Sequence, residues 1–411
     1  MYDVCVIGCG RVGLPLAIAL KKNGLNVVGC DTNLRTSDLV NNGKMPFEEP
    51  GFQELMDKGF NVPIHYNPED AKAYIITVGT PLMQHIETDL SHIKGVIDVL
   101  IQQNKIEGRL IILRSTVAPG TTTKLVDYIL QATQLHRGRD YYIAMCPERI
   151  VEGDSLDELY ELPQIIGAED VPSQVKAKEL FAGFNVKIKP CNFIEAELSK
   201  LLCNIYRYIN FAIPNYFTYL TNKFGADVFQ VFDIMNEDYP RNNGLKKPGF
   251  AAGTCLRKDF GMISENMPHS DLLVQAYKVN EFMPKFYVDL VQDKIWNANV
   301  GVLGYTMKAD TDDTRDSLVP KMIRYIDRLS PKSIMIAEPN FGGIDGEYDD
   351  KDNDMKFWVY HEKEVMIFCD VVFIAMNHKE FKNLSLNNFK KGAIIVDIWN
   401  VLGMNKIIIQ R

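Results

Sequence analysis

Apolar positions in the first half of the chain fall into two alternating patterns. Short β-branched runs at 3–8, 26–31, 73–78, 109–114, 141–145 and 164–167 are strand-length. Between them, segments at 11–23, 92–104, 121–132 and 172–183 repeat their apolar residues at helical spacing. Strands that are apolar throughout and separated by helices imply a mainly parallel sheet covered on both faces. From about 195 the pattern lengthens. Leu198, Leu201, Leu202, Ile205, Ile209 and Ala212 share helical spacing across 195–224, and a second long helix is predicted over 271–296. The stretch 239–253 between them is rich in Gly, Pro and Lys and too long for a plain connection, which makes it a candidate functional loop. Strand patterns resume at 300–304, 333–337, 371–376 and 393–397. The expected class is α/β, with two parallel-sheet domains (1–195 and 299–411) joined by a helical middle (196–298). The acidic stretch Asp345 to Asp354 is expected to be a solvated loop.

Charge narrows the partners. Lys and Arg number 45 and Asp and Glu 53 in 411 residues, a net charge of −8. Nucleic acid and anionic membranes are met by Lys/Arg-rich faces, so neither is an expected partner. Any phosphate must be bound by local donors in a pocket. No apolar stretch approaches the roughly 20 residues that span a bilayer. Met1-Tyr2-Asp3 leads straight into Val4-Cys5-Val6-Ile7, without the basic leader of a signal peptide, so a cytoplasmic protein is expected. Eight cysteines with no C-x-x-C pair argue against a disulfide framework and a zinc ribbon, and no metal is implied.

The first strand ends in Gly8-Cys9-Gly10-Arg11-Val12-Gly13, a G-x-G-x-x-G that opens a helix. Its glycines permit a tight turn and close approach to a pyrophosphate, which the helix N-terminus then receives. Asp31 ends the second strand. A carboxylate there accepts from a ribose diol and repels a 2′-phosphate, which favours NAD over NADP. The turns Val78-Gly79-Thr80-Pro81 and Arg114-Ser115-Thr116 to Thr122 lie at carboxyl ends of predicted strands, facing the same crevice.

Four further patterns carry chemistry. Pro147-Glu148-Arg149-Ile150-Val151-Glu152 sets two carboxylates four apart after a strand. Lys200 and Asn204 share a helix face. Gly253-Thr254-Cys255-Leu256-Arg257-Lys258-Asp259 puts a thiol beside two cations, which lower a thiol pKa, and beside a carboxylate. Gly304-Tyr305-Thr306-Met307-Lys308 leads into Asp313-Thr314-Arg315-Asp316-Ser317.

Together, in this order and over essentially the whole chain, these motifs resemble the UDP-glucose/GDP-mannose dehydrogenase family of nucleotide-sugar 6-dehydrogenases. The resemblance implies two Rossmann-like domains, the first binding NAD and the second the nucleotide sugar, around a helical, dimer-forming centre. It implies oxidation of a sugar C6 alcohol to a carboxylate with two NAD⁺, through a thiohemiacetal and thioester on Cys255. By the same resemblance, Lys200 and Asn204 stabilise the oxyanion, Asp259 serves as base with Thr116 and Glu152 nearby, and Glu148 holds water or sugar. The implied cofactor set is Gly8, Gly10, Arg11, Val12, Gly13, Asp31, Arg35, Thr80, Pro81, Ser115, Thr116, Glu152, Lys258 and Arg315. The implied substrate set adds Arg149, Ile150, Val151, Arg207, Arg241 (reaching from a neighbouring subunit), Lys247, Phe250, Gly253 and Lys308 to Glu148, Glu152, Lys200 and Asn204. The partners are a UDP-sugar substrate and a second copy of the chain, in a homodimer or higher homo-oligomer.

The sequence also departs from the family. Ala251-Ala252-Gly253 replaces a Gly-Gly run, Arg257 stands where Pro is common, and Met307 replaces Phe. Asp397-Ile398-Trp399-Asn400 stands where many members carry Asp-x-Arg. The competing readings are a single-step β-hydroxyacid-type dehydrogenase, which leaves Cys255 and the last domain without a role, and a non-catalytic nucleotide-sugar or NAD sensor. An epimerase-type Tyr-x-x-x-Lys pair exists at Tyr219 and Lys223, but lies on the central helix.

Overall fold

The computed structural model describes residues 1–83, 87–264, 271–341 and 346–411, with the side chains of 254–257 outside that set. The chain forms two compact units, Met1–Cys203 with Lys258–Pro268, and Asn204–Arg257 with His269–Arg411.

In the first unit, strands β1 (Tyr2–Ile7), β2 (Val27–Cys30), β3 (Ile64–His65), β4 (Ala71–Ile76), β5 (Leu110–Leu113), β6 (Tyr142–Met145), β7 (Gln164–Gly167) and β8 (Ile188–Cys191) make one sheet. Its order is β3-β2-β1-β4-β5-β6-β7-β8. Every pairing is parallel except β6 with β7. Alternate side chains enter different cores. Val4, Val6, Ile75 and Ile112 pack on one face, and Cys5, Ile7, Ile76, Ile111 and Leu113 on the other. Helices Gly13–Lys22, Ser91–Gln102, Thr121–Thr133 and Val171–Leu180 connect these strands, close to their expected bounds. Each fully buried Val, Ile or Leu contributes about 1.5–3 kcal/mol, which is why both faces read as apolar. Register aligns Ile7 with Cys30 and Ile76, so the neighbouring carboxyl ends of β1, β2 and β4 finish level. Strand β8 escaped prediction because it contains Pro190; it lies at the sheet edge, where proline is tolerated.

In the second unit, β9 (Asn299–Leu303), β10 (Ser333–Ala337), β11 (Gly346–Asp350), β12 (Met355–Val359), β13 (Val371–Ile374), β14 (Ile394–Asp397) and β15 (Ile408–Gln410) are ordered β11-β12-β10-β9-β13-β14-β15. The outer pairs β11/β12 and β14/β15 are antiparallel and the others parallel. Both sheets are therefore mixed, though mostly parallel. The expected solvated loop over Asp345 to Asp354 is corrected here. Its 346–350 segment is a strand, and only 351–354 is a turn; Asp345 lies outside the described residues. Asp350 is buried, accepting from the hydroxyls of Tyr305 (2.7 Å) and Thr314 (3.1 Å). Tyr348 supplies the inward apolar anchor, its ring stacked on Phe341 at 4.0 Å.

Helix Phe193–Lys223 runs from the first unit into the second, followed by Val228–Asn236, Thr254–Ser264 and Asp271–Asp289. The last of these stops short of the predicted 296 and ends in a 3₁₀ turn at Gln292–Lys294. Val228, Phe229, Phe232, Met283, Phe286 and Tyr287 share a single core with Val300, Val302 and Phe373 of the second sheet.

Candidate active site

The cofactor crevice follows from the glycine turn after β1. Gly8 has φ +98°, and a Cβ there would lie 2.9 Å from the Val78 nitrogen. A Cβ on Gly13 would lie 1.9 Å from the Gly8 oxygen, so helix and turn approach as only glycine allows. Gly10 faces open space. Asp31 orders the turn, accepting Cys9 N–H at 2.7 Å and Asn33 N–H at 2.8 Å. It also borders a cavity of 590 Å³ with Gly8, Gly10, Tyr66, Val78 and His92. Glycines that clear a path and a carboxylate on the cavity wall fit an adenosine diphosphate moiety. Arg35 is exposed in the first turn of helix Leu34–Asn41, and Val12 immediately precedes Gly13–Lys22.

Other expected residues lie in the turns that follow β1, β4, β5 and β6 and in helix Thr254–Ser264. Arg11 is ion-paired with Glu152 and lies over the Phe47 ring. Thr80 is buried and donates to the Thr116 carbonyl at 2.6 Å; Lys258 Nζ reaches the Thr80 hydroxyl at 3.2 Å. Ser115 donates to Val78 O at 2.7 Å, while Pro81 is exposed. Asp259, beside Lys258, is 1% exposed.

Two buried groups given no role by the sequence reading hold this arrangement. Arg114 donates through Nε to Glu148 Oε2 at 2.7 Å, and through Nη1 to Cys146 O and Gln164. Glu148 Oε1 takes the N–H groups of Arg149 and Ile150, so this carboxylate folds the turn 148–152. Arg149 reaches the Pro163 carbonyl, and Ile150 and Val151 are half-buried. Glu197 caps helix Thr121–Thr133, accepting from Gly120 N (2.6 Å), Thr122 N (2.7 Å) and the Thr122 hydroxyl (2.6 Å). It thereby ties the 114–122 turn to the helix that carries Lys200.

Lys200 and Asn204 are both buried, four residues apart on that helix. In the second unit Arg207, Lys247 and Lys308 are exposed. Arg241 lies over the Tyr239 ring. Phe250 is buried, edge-on to Tyr287 at 5.9 Å. Gly253 has φ +104° and donates to Asp316 O at 3.4 Å. Arg315 makes a two-pronged contact with buried Asp313, at 2.8 and 2.6 Å. Cys255 lies in helix Thr254–Ser264, but its side chain is outside the described residues. Burial pushes the thiols of Cys5, Cys30, Cys146 and Cys369 up to about 12, Cys191 to about 11, and Cys9 well above its ordinary value. Such thiols stay protonated at neutral pH and are unsuited to nucleophilic attack.

Residues 2–185 match the NAD binding domain of the UDP-glucose/GDP-mannose dehydrogenase family, 194–281 its central domain and 301–404 its UDP binding domain. The chain is 30% identical to the UDP-N-acetyl-D-mannosamine dehydrogenase of Methanococcus vannielii, over 98% of this chain and 93% of that one. It is also 30% identical to the enzyme of that name from Pyrococcus horikoshii, over 97% and 96%. The UDP-N-acetyl-mannosamine dehydrogenase structure from Staphylococcus aureus superposes with a TM-score of 0.84 at 28% identity, covering 97% of this chain and 95% of that one.

Proposed function

The chain belongs to the UDP-glucose/GDP-mannose dehydrogenase family of NAD-dependent oxidoreductases, and from that membership we propose that it oxidises the C6 alcohol of a UDP-sugar to the uronic acid. UDP-N-acetyl-D-mannosamine is the first candidate substrate, because relatives matched over nearly their full length carry that name; UDP-glucose is the second. The observation that carries the reading is a single helix, Thr254–Ser264. It carries Cys255, Lys258 and buried Asp259 in one segment, and Lys258 Nζ donates to the hydroxyl of Thr80, in the turn after β4, at 3.2 Å, which supports the reading.

NAD⁺, held by the Gly8–Gly13 turn and Asp31, supplies the hydride acceptor for both oxidations. Lys200 takes the alcohol proton as the aldehyde forms. The Cys255 thiolate then adds to the aldehyde carbon, and the oxygen gains a proton to give a thiohemiacetal. Loss of hydride and proton from that adduct leaves a thioester. Water activated by Asp259 attacks its carbonyl, the C–S bond breaks, and carboxylate and thiol are released. Lys200 and Asn204 stabilise the oxyanion in each addition.

Two NADH per sugar is the expected stoichiometry. One NADH with accumulating aldehyde would sink the covalent route and favour a single-step dehydrogenase. Cys255→Ser is expected to lower uronate formation by more than about 10³-fold, measured by mass-resolved product analysis.

The proposed assembly is a homodimer. Leu202, Tyr206, Ile213 and Tyr216 are exposed along helix Phe193–Lys223 at helical spacing, an apolar stripe suited to a second copy, and Arg241 is exposed as a group reaching a neighbouring subunit must be. Light scattering on a Tyr206→Glu variant tests it, with monomer expected. The seven cysteines with described side chains are all free, which accords with a cytoplasmic protein. No described helix is long and apolar enough to cross a membrane.

A further inference from the structure

The segment 247–253, which leads into the Cys255 helix, is fixed by groups that the proposed chemistry leaves unused. Asn215, fully buried in helix Phe193–Lys223, accepts Gly249 N–H on Oδ1 at 3.0 Å. Its Nδ2 donates to Oδ1 of Asn280 at 2.9 Å, and Asn280 Nδ2 donates to the Tyr208 carbonyl at 3.3 Å. An amide engaged at both ends cannot rotate, so its oxygen is offered to the loop at one place only.

Trp399 lies against the same residue. A Cβ on Gly249 would sit 2.3 Å from Cζ3 and 2.4 Å from Cη2 of the Trp399 ring, so the loop backbone runs directly over the indole. The indole is itself fixed. Its Nε1–H donates to the Ala375 carbonyl at 2.8 Å, and Asp397 gathers the Val401 and Leu402 N–H groups at 2.8 Å each to set the turn on which it stands. Phe250 then plugs the core against Tyr287, and Gly253 is tied to Asp316.

We propose that Trp399 and Asn215 are positioning residues that clamp Gly249 between an indole and a buried amide and so set the path of 247–253 into the nucleophile helix. This rests on the functional reading above. A displacement of about 1 Å at a reacting group costs on the order of 10²-fold in rate, so a clamp a few residues upstream bears on catalysis without touching substrate.

Trp399→Ala and Trp399→Phe, each assayed in the full-length chain with varied nucleotide sugar and varied NAD⁺, test the clamp. Trp399→Ala is expected to raise KM for the sugar at least tenfold and leave KM for NAD⁺ within twofold, with Trp399→Phe recovering most of the loss. Gly249→Ala, which forces a side chain into the ring and strains the backbone at φ +157°, is expected to reproduce that phenotype. The Gly249→Ala/Trp399→Ala double variant is expected to lose less than the two single effects combined, the remainder being the backbone strain of Ala at φ +157°. Trypsin gives a readout independent of activity. Lys246 is exposed in the loop, and cleavage after it should accelerate at least tenfold in Trp399→Ala. Unchanged sugar KM together with unchanged cleavage overturns the proposal, as does a harmless Gly249→Ala. If the wild type oxidises no nucleotide sugar, the functional reading fails, while the trypsin comparison still decides the clamp. If Trp399→Ala does not fold, Gly249→Ala and Trp399→Phe decide it.

Discussion

The two sheets end their second strands in the same way and put the result to different use. After β2, Asp31 accepts the Cys9 N–H of the turn that follows β1, at 2.7 Å. After β10, Glu338 accepts the Tyr305 N–H of the turn that follows β9, also at 2.7 Å. There the likeness stops. Asp31 is half-buried on a cavity wall. Glu338 is 3% exposed, and its oxygens also take the Asn340 N–H (2.9 Å), the Asn340 side chain (3.0 Å) and His378 Nε2 (3.0 Å). The acid in each place orders a glycine turn first. It offers itself to a ribose only where the fold leaves it open.

Four changes would break or sharpen that contrast. Gly13→Val drives a side chain into the Gly8 carbonyl and is expected to abolish NAD⁺ binding, with activity down more than about 10³-fold; NADH fluorescence titration checks it. Glu338→Ala strips the acceptor from a buried His378 and Tyr305 N–H, and about 3–5 kcal/mol of stability should be lost in denaturant titration, with KM for NAD⁺ unchanged in the surviving folded fraction. Asp31→Ala should do the reverse. Affinity for NAD⁺ falls about 10–100-fold and discrimination against NADP⁺ narrows, while stability changes by only about 1 kcal/mol. If Asp31→Ala proves as destabilising as Glu338→Ala, the contrast fails.

The smallest effect is in pH. Burial alone would raise the Glu338 pKa, but the His378 hydrogen bond and charge and the Asn340 and Tyr305 N–H groups together hold it below its ordinary 4.5. A carboxyl lowered in the folded state stabilises fully above that value and loses the contribution as pH falls through the folded pKa. The Tm gap between wild type and Glu338→Gln should therefore shrink on acidification below 4.5.

What the sequence disclosed was local. The glycine turn, Asp31 and the alternation of strand and helix are written within runs of a few dozen residues, and all were legible. Arg114–Glu148, the Glu197 cap and Glu338–His378 join residues 34, 77 and 40 positions apart, and no spacing rule points from one partner to the other. Arg114 and Glu197 could have drawn notice as charged groups in otherwise apolar or catalytic stretches, though not their partners. Strand β11 was hidden by its own composition. Three acids in five residues read as loop, and the inward Tyr348 that holds the strand is a single residue in the pattern.

Among the described strands, β11 forms one margin of the second sheet, and the unpaired backbone groups along such an edge invite a foreign strand. Glu347 and Asp349 point outward from it. A second copy approaching edge to edge would bring like charges face to face at every outward position, and such pairs repel. Glu347 and Asp349 therefore disfavour edge-to-edge pairing of two copies at this margin. Neutralising Glu347 and Asp349, while keeping the buried Asp350 that accepts from Tyr305 and Thr314, is expected to leave the fold in place and favour edge-to-edge association.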